Sequence, residues 1–269
     1  GEFGGQVAMD SSGISLKQHI SLLALPDDNY RKRLYHPYSG GFNQTIVDYA
    51  QALDADINQH LQVRFRLEKI HPGPAPSKVK KPIIFYLDPG TPEPIRSALL
   101  DGANWWKTAF EKAGFIDAYR VELLPPDIDA MDARYNFIAW THRATRGWSY
   151  GSYLSDPRTG EILRGVVNLG SLRVRQDILI AEGLLAPYGK PNETELKTQA
   201  QEMALARLRQ LSAHEVGHTL GFNHNFASSR LGNGSVMDYP HPQLSIDQNG
   251  KPSISNAYGI GVGPWDDFI

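Results

Sequence analysis

One stretch limits what this chain can be more than any other. His214-Glu215-Val216-Gly217-His218-Thr219-Leu220-Gly221-Phe222-Asn223-His224 spells H-E-x-x-H-x-x-G-x-x-H. Side chains four apart on a helix share a face, so His214 and His218 can grip one ion. Glycine adopts the left-handed backbone conformation that closes a helix, so Gly221 predicts a stop and a turn. That turn can return His224 to the same ion as a third nitrogen ligand. Three protein ligands leave the fourth position of a tetrahedral zinc open for water, which marks a catalytic rather than a structural site. Glu215, beside the first ligand, is placed to take a proton from that water. At average residue usage, these five identities at fixed offsets arise by chance in roughly one chain in 10⁵ of this length. The shorter H-E-x-x-H says much less, because a solvated helix face can carry it.

The rest of the composition narrows the setting. The 269 residues suffice for one large domain or one domain with an appendage, and 41% hydrophobic with 21% charged residues fits a soluble globular protein. A net charge of −2 gives no electrostatic reason to expect nucleic acid or an anionic membrane as partner. No apolar run approaches the ~20 residues that span a bilayer. There is no cysteine, which excludes disulfides, thiolate zinc ligands and a cysteine-based latency switch. Gly1 to Gly5 reads as an expression scar, so a secretion signal could have been removed. The close, Pro264-Trp265-Asp266-Asp267, opens like a helix and is then cut short, which suggests a fragment of a longer protein with further domains.

Along the chain, residues 1–75 are the least legible. Ile14 to Leu25 is mostly apolar and strand-like, and Leu61 to Leu67 alternates apolar and basic residues as a half-buried strand does. The proline-rich His71 to Ser77 is the best boundary, giving a 1–75 N-terminal segment and a 76–269 catalytic unit. Ile83 to Leu87 reads as a central strand. Thr91-Pro92 opens a helix whose apolar positions run from Ile95 to Ala113, with Gly114 ending it. Trp105 and Trp106 read as core. Tyr119 to Leu124, Tyr135 to Trp140 and Val166 to Leu169 are further strands, and Ser155 to Ile162 is a turn joining two of them. Asp127, Asp129 and Asp132 could bind calcium, but they lack the glycine and terminal glutamate of an EF-hand loop, and a solvated loop is the better reading. His19, His36, His60, His71, His142 and His241 have no ligand partner at a useful spacing. Asn192 can cap a long helix running to Leu220, with Glu193 and Glu195 complementing its dipole.

Thirteen residues past His224 stands Met237, within a second signature, Ser235-Val236-Met237-Asp238-Tyr239-Pro240. Together with the zinc motif it resembles the metzincin metalloproteases, which pair the long motif with a methionine-containing turn. The S-x-M-x-Y form looks like the astacin and serralysin branches. By that resemblance Met237 floors the zinc site and Tyr239 stabilises an oxyanion. Tyr86 to Gly90, Arg146 to Gly151 and Ser171 to Gln176 look like the catalytic region of large, often secreted, bacterial zinc-dependent proteases with a metzincin-like core. The similarity runs from about residue 80 to the end and touches Arg64 to Lys69. It implies an α/β (α+β) fold: a mixed sheet packed on two long helices, with an active-site helix, a Met-turn and a truncated C-terminal helix. It also implies a secreted, periplasmic or cell-surface setting. In metzincins the edge strand above the cleft pairs with an extended peptide, and residues 147–153 are the expected edge. Asn225 stands where astacins have glutamate, a departure that leaves the network behind His224 open.

The expectation is a zinc endopeptidase: His214, His218 and His224 hold Zn²⁺, Glu215 is the general base, and Tyr239 assists. Calcium is unsupported. Two alternatives stand beside it. One is a metal-dependent amide hydrolase acting on a non-protein substrate. The other is a latent or binding module whose cleft is blocked, with residues 1–75 lying across the site.

Overall fold

The computed structural model describes residues 18–142 and 148–269. Its strands are β1 (Asn43–Val47), β2 (Asn58–Gln62), β3 (Ser77–Lys78), β4 (Ile83–Leu87), β5 (Phe115–Ile116), β6 (Tyr119–Leu123), β7 (Asn136–Thr141), β8 (Tyr150–Ser155), β9 (Ile162–Gly170), β10 (Ser245–Ile246) and β11 (Pro252–Ser253). The helices are α1 (Ile95–Asn104), α2 (Trp106–Lys112), α3 (Leu172–Leu185), α4 (Glu193–Leu220) and α5 (Pro264–Phe268). The fold is mixed α/β, as expected: a five-stranded sheet in the order β6-β4-β7-β9-β8 carries helices on one face. Every pairing in it is parallel except the last, where β8 runs antiparallel to β9 at the edge.

The alternation inside β4 shows why the layers form. Ile83, Phe85 and Leu87 are buried while Ile84 and Tyr86 are half-buried, so one set of side chains faces the helices. Those residues join Leu99, Trp106, Ile138, Val167, Leu169, Leu208, Leu211 and Val216 in the main core. A smaller core links α3 and the first half of α4 to Ile254, Ala257 and Tyr258.

Several sequence expectations need correcting. The helix expected from Thr91-Pro92 to Gly114 is two helices, broken at Trp105. It starts at Ile95, because Thr91 Oγ1 donates to the Asp88 carbonyl in a preceding turn, while the Glu93 carboxylate accepts from the Ser97 N–H. Residues 172–185, given no element above, form the 14-residue helix α3. Within 61–67 the strand ends at Gln62. Arg64 then makes a single bridge to Glu161, so this stretch runs beside the β8–β9 turn instead of joining the sheet. Residues 18–25 have no regular structure, with Ile20 and Leu22 exposed, and Ile14 to Lys17 lie outside the described residues. The long helix has the expected bounds, but the Asn192 side chain makes no cap bond; its carbonyl accepts from Leu196 N–H instead. Among the described residues, no helix is long and apolar enough to cross a membrane.

Candidate metal centre

Helix α4 carries His214 and His218 on adjoining turns, with ring centroids 4.7 Å apart. The helix stops at Gly221, whose φ of 105° lies in the left-handed region that a side chain disfavours. The chain then turns and delivers His224, its ring 4.6 Å from that of His218 and 5.2 Å from that of His214. One ring nitrogen from each of the three lies within 4.8 Å of the other two.

Hydrogen bonding decides which nitrogen two of the rings offer. The Val236 carbonyl accepts from His214 Nδ1 at 2.8 Å, and the Phe222 carbonyl accepts from His218 Nδ1 at 2.8 Å. A carbonyl can only accept, so both protons sit on Nδ1 and both Nε2 atoms present lone pairs. His214 Nε2 is buried and has no hydrogen-bond partner. His218 Nε2 and His224 Nε2 lie 3.1 Å apart. A buried acceptor without a donor is costly. Three converging imidazole nitrogens of which one is orphaned fit a divalent cation, and imidazole suits zinc. Burial disfavours the charged form of all three rings, and the neutral ring is the ligating form. Burial pushes His214 down to about 3, helped by the neighbouring His218, and lowers His218 and His224 as well.

Glu215 is buried beside the first ligand. Burial raises its carboxyl to about 7, against a hydrogen bond from the Gly151 N–H and the charge of Arg207, which both pull it down. Gly151 belongs to β8, and a methyl group there would run into the Glu215 carbonyl, so the edge strand lies directly on the metal helix. The expected edge is therefore the edge, and it is at the site; Gly147 falls outside the described residues. Trp148, Tyr150 and Leu154 on this stretch are exposed.

Beneath the ligands, Met237 is fully buried with its Sδ over Gly217, where any side chain would collide with it. Tyr239 is half exposed. Its ring stacks 5.1 Å from that of His214 and lies 4.6 Å from that of His224. The Met-turn is tied down from several sides. The Asp266 carboxylate accepts from Ser235 Oγ, Val236 N–H and Gly263 N–H at 2.6–2.8 Å. Gln210 Nε2 donates to the same Val236 carbonyl that holds His214, and buried Arg207 donates to Gln210 Oε1. Asn225, the departure from astacins, joins the network through its backbone, its N–H donating to the Met237 carbonyl at 2.9 Å.

Gln210 and Arg207 carry no signal in the sequence, and Gly151 carries one only as part of the expected edge stretch 147–153. Asp266 gave only a helix-start signal, and nothing in its neighbours says that its carboxylate reaches the Met-turn. Trp106, read as core, is core. Its indole N–H also donates to the Ala213 carbonyl at 2.8 Å, and its ring stacks on Phe222. Among the described residues, the three motif histidines are the ones grouped for a metal. In the aspartate loop, Asp129 accepts from Met131 N–H and Asp132 pairs with Arg134.

Residues 197–269 match the family model described as Met-zincin. This region is metzincin-like. The match supports a zinc metalloprotease. Residues 3–70 match a domain of unknown function, DUF5117. No curated protein matches. Among solved structures, the chain is similar to high choriolytic enzyme 1, a hatching-enzyme zinc-protease from the medaka fish Oryzias latipes. That likeness is at 11% identity with a TM-score of 0.32, over 75% of this chain and 96% of that one.

Proposed function

We propose that this metzincin-like chain is a zinc endopeptidase, with His214, His218 and His224 holding the ion and Glu215 as general base. One observation carries the reading: ring nitrogens converge with an orphaned, buried lone pair among them, next to a buried carboxylate. Bound there, zinc supplies Lewis acidity and lowers the pKa of a water towards ~7. Glu215 takes the proton from the attacking water and passes it to the leaving amide nitrogen. A carboxyl held near 7 by burial suits both halves of that transfer. The Tyr239 hydroxyl donates to the oxyanion of the tetrahedral centre, as its ring position against His214 and His224 supports. An extended peptide adds to the free side of β8, so that backbone bonds supply affinity and exposed Tyr150 and Leu154 meet its side chains.

The test is a digest of casein and of a peptide library by the zinc-loaded chain, with Glu215→Ala beside it. Internal cleavage by the parent and none by a variant that still holds zinc supports the reading. Hydrolysis of small amides with peptides left intact would replace it with an amide hydrolase.

A further inference from the structure

The three residues between the metal helix and His224 close back on the helix, Gly221 N–H donating to the His218 carbonyl and Phe222 N–H to the Gly217 carbonyl. A segment far away in sequence holds them. Phe42 N–H donates to the Gly221 carbonyl at 2.7 Å and Asn223 N–H donates to the Gly40 carbonyl at 2.8 Å, with Gly41 opposite Phe222 in an antiparallel bridge. The middle of the braced stretch, the Phe222 carbonyl, is the acceptor that fixes His218 Nδ1. The backbone pairing thus reaches two of the three ligands: His218 through that carbonyl, and His224 through the chain that carries it.

Side chains extend the contact. The Phe42 ring lies 5.8 Å from the His218 ring and 6.0 Å from the Tyr153 ring on β8, so one residue touches both a ligand and the edge strand. Ser155 Oγ on β8 donates to Gln44 Oε1 on β1 at 3.2 Å. Phe42 is itself anchored from behind, its carbonyl accepting from Val63 N–H and from Gln62 Nε2. The backbone pairing lies on the Nδ1 side of His218, through the Phe222 carbonyl, while His218 Nε2 faces His224. An inhibitory pro-segment works the other way, by offering a ligand or filling the cleft.

We propose that residues 39–63, within the region matched by the domain of unknown function, are a permanent brace of the metal centre, with Phe42 as its positioning residue. The inference rests on the zinc reading above. It assigns the N-terminal unit a role in holding the ion, not in blocking access to it. Ligands need placement within about 0.5 Å, and losing a group that orients one typically lowers metal affinity 10–100-fold.

The experiment measures Co²⁺ uptake by the metal-free full chain, reading visible absorption, with Zn²⁺ competition against a chelator for affinity. Parent, Phe42→Ala, the milder Phe42→Leu and Tyr49→Ala are compared. Tyr49, exposed just past β1, serves as the control. The brace predicts at least tenfold weaker zinc binding and an altered cobalt spectrum for Phe42→Ala, a smaller change of the same kind for Phe42→Leu, and none for Tyr49→Ala. A purely structural Phe42 would lower the unfolding temperature and leave spectrum and affinity alone. Parental affinity and spectrum in both Phe42 variants would overturn the brace while leaving the zinc reading intact. A parent chain that takes up neither metal would overturn the zinc reading and the brace together.

Discussion

The two ends of α4 are built by different rules. Residues 193–202 are mostly open to solvent, and local pairs four apart hold them: Lys197 on Glu193 at 2.5 Å and Thr198 on the Thr194 carbonyl at 3.1 Å. From Leu208 to Leu220 every residue except Arg209 is buried. Here the partners come from elsewhere in the chain. Ser212 Oγ donates to the Leu99 carbonyl, Trp106 donates to Ala213, and His214 donates to Val236. Apart from Leu196 and Ala200, which pack in the smaller core, the solvated end could be exchanged for another helical sequence with little harm. The buried end is defined by what surrounds it, and it carries His214, Glu215 and His218.

This contrast can be broken or sharpened by mutation. The largest effect is expected at the buried end, from Glu215→Ala. Peptide cleavage should fall by about 10³-fold or more, within the range for removing a general base, with zinc content unchanged by elemental analysis. Residual turnover near the parental rate would mean that the buried carboxylate is not the base. Tyr239→Phe should follow with a loss of roughly 10²-fold in kcat and little change in KM, as for a single oxyanion donor. A KM effect alone would make Tyr239 a substrate contact.

Asp266→Ala comes next, and it reads out in stability first. It removes three bonds to a buried carboxylate and leaves the Val236 and Gly263 N–H groups and the Ser235 hydroxyl without their acceptor, at a cost of about 2–4 kcal/mol in urea unfolding. A neutral outcome would show that the Met-turn does not depend on α5. At the solvated end, Lys197→Ala removes a surface pair and should leave both melting temperature and cleavage rate unchanged within error. A clear loss there would end the distinction drawn between the two halves.

The same contrast explains what was legible in the sequence. The zinc motif was, because metal chemistry dictates residue identities at fixed offsets along a single helix. The strands at 83–87 and 119–123 were, because each is a compact apolar or alternating run. The inward face of α4 was faint because a helix half buried on all sides carries no apolar stripe: Ser212, His214, Glu215 and Thr219 sit where a stripe would show leucines. The split at Trp105 was hidden because both halves keep apolar residues at helical spacing across the break. The contributions of Asp266 and Phe42 depend on contacts with the Met-turn and the helix stop that no local pattern encodes.

The Val236 carbonyl, which receives both His214 and Gln210, has a last consequence. The first imidazole is oriented by protein groups alone, and the second is oriented likewise through Phe222. Reorganisation on loading is therefore small. Unlike small domains that melt when their zinc is chelated, this chain should keep its circular dichroism after dialysis against EDTA, and regain its activity on return of the ion without refolding.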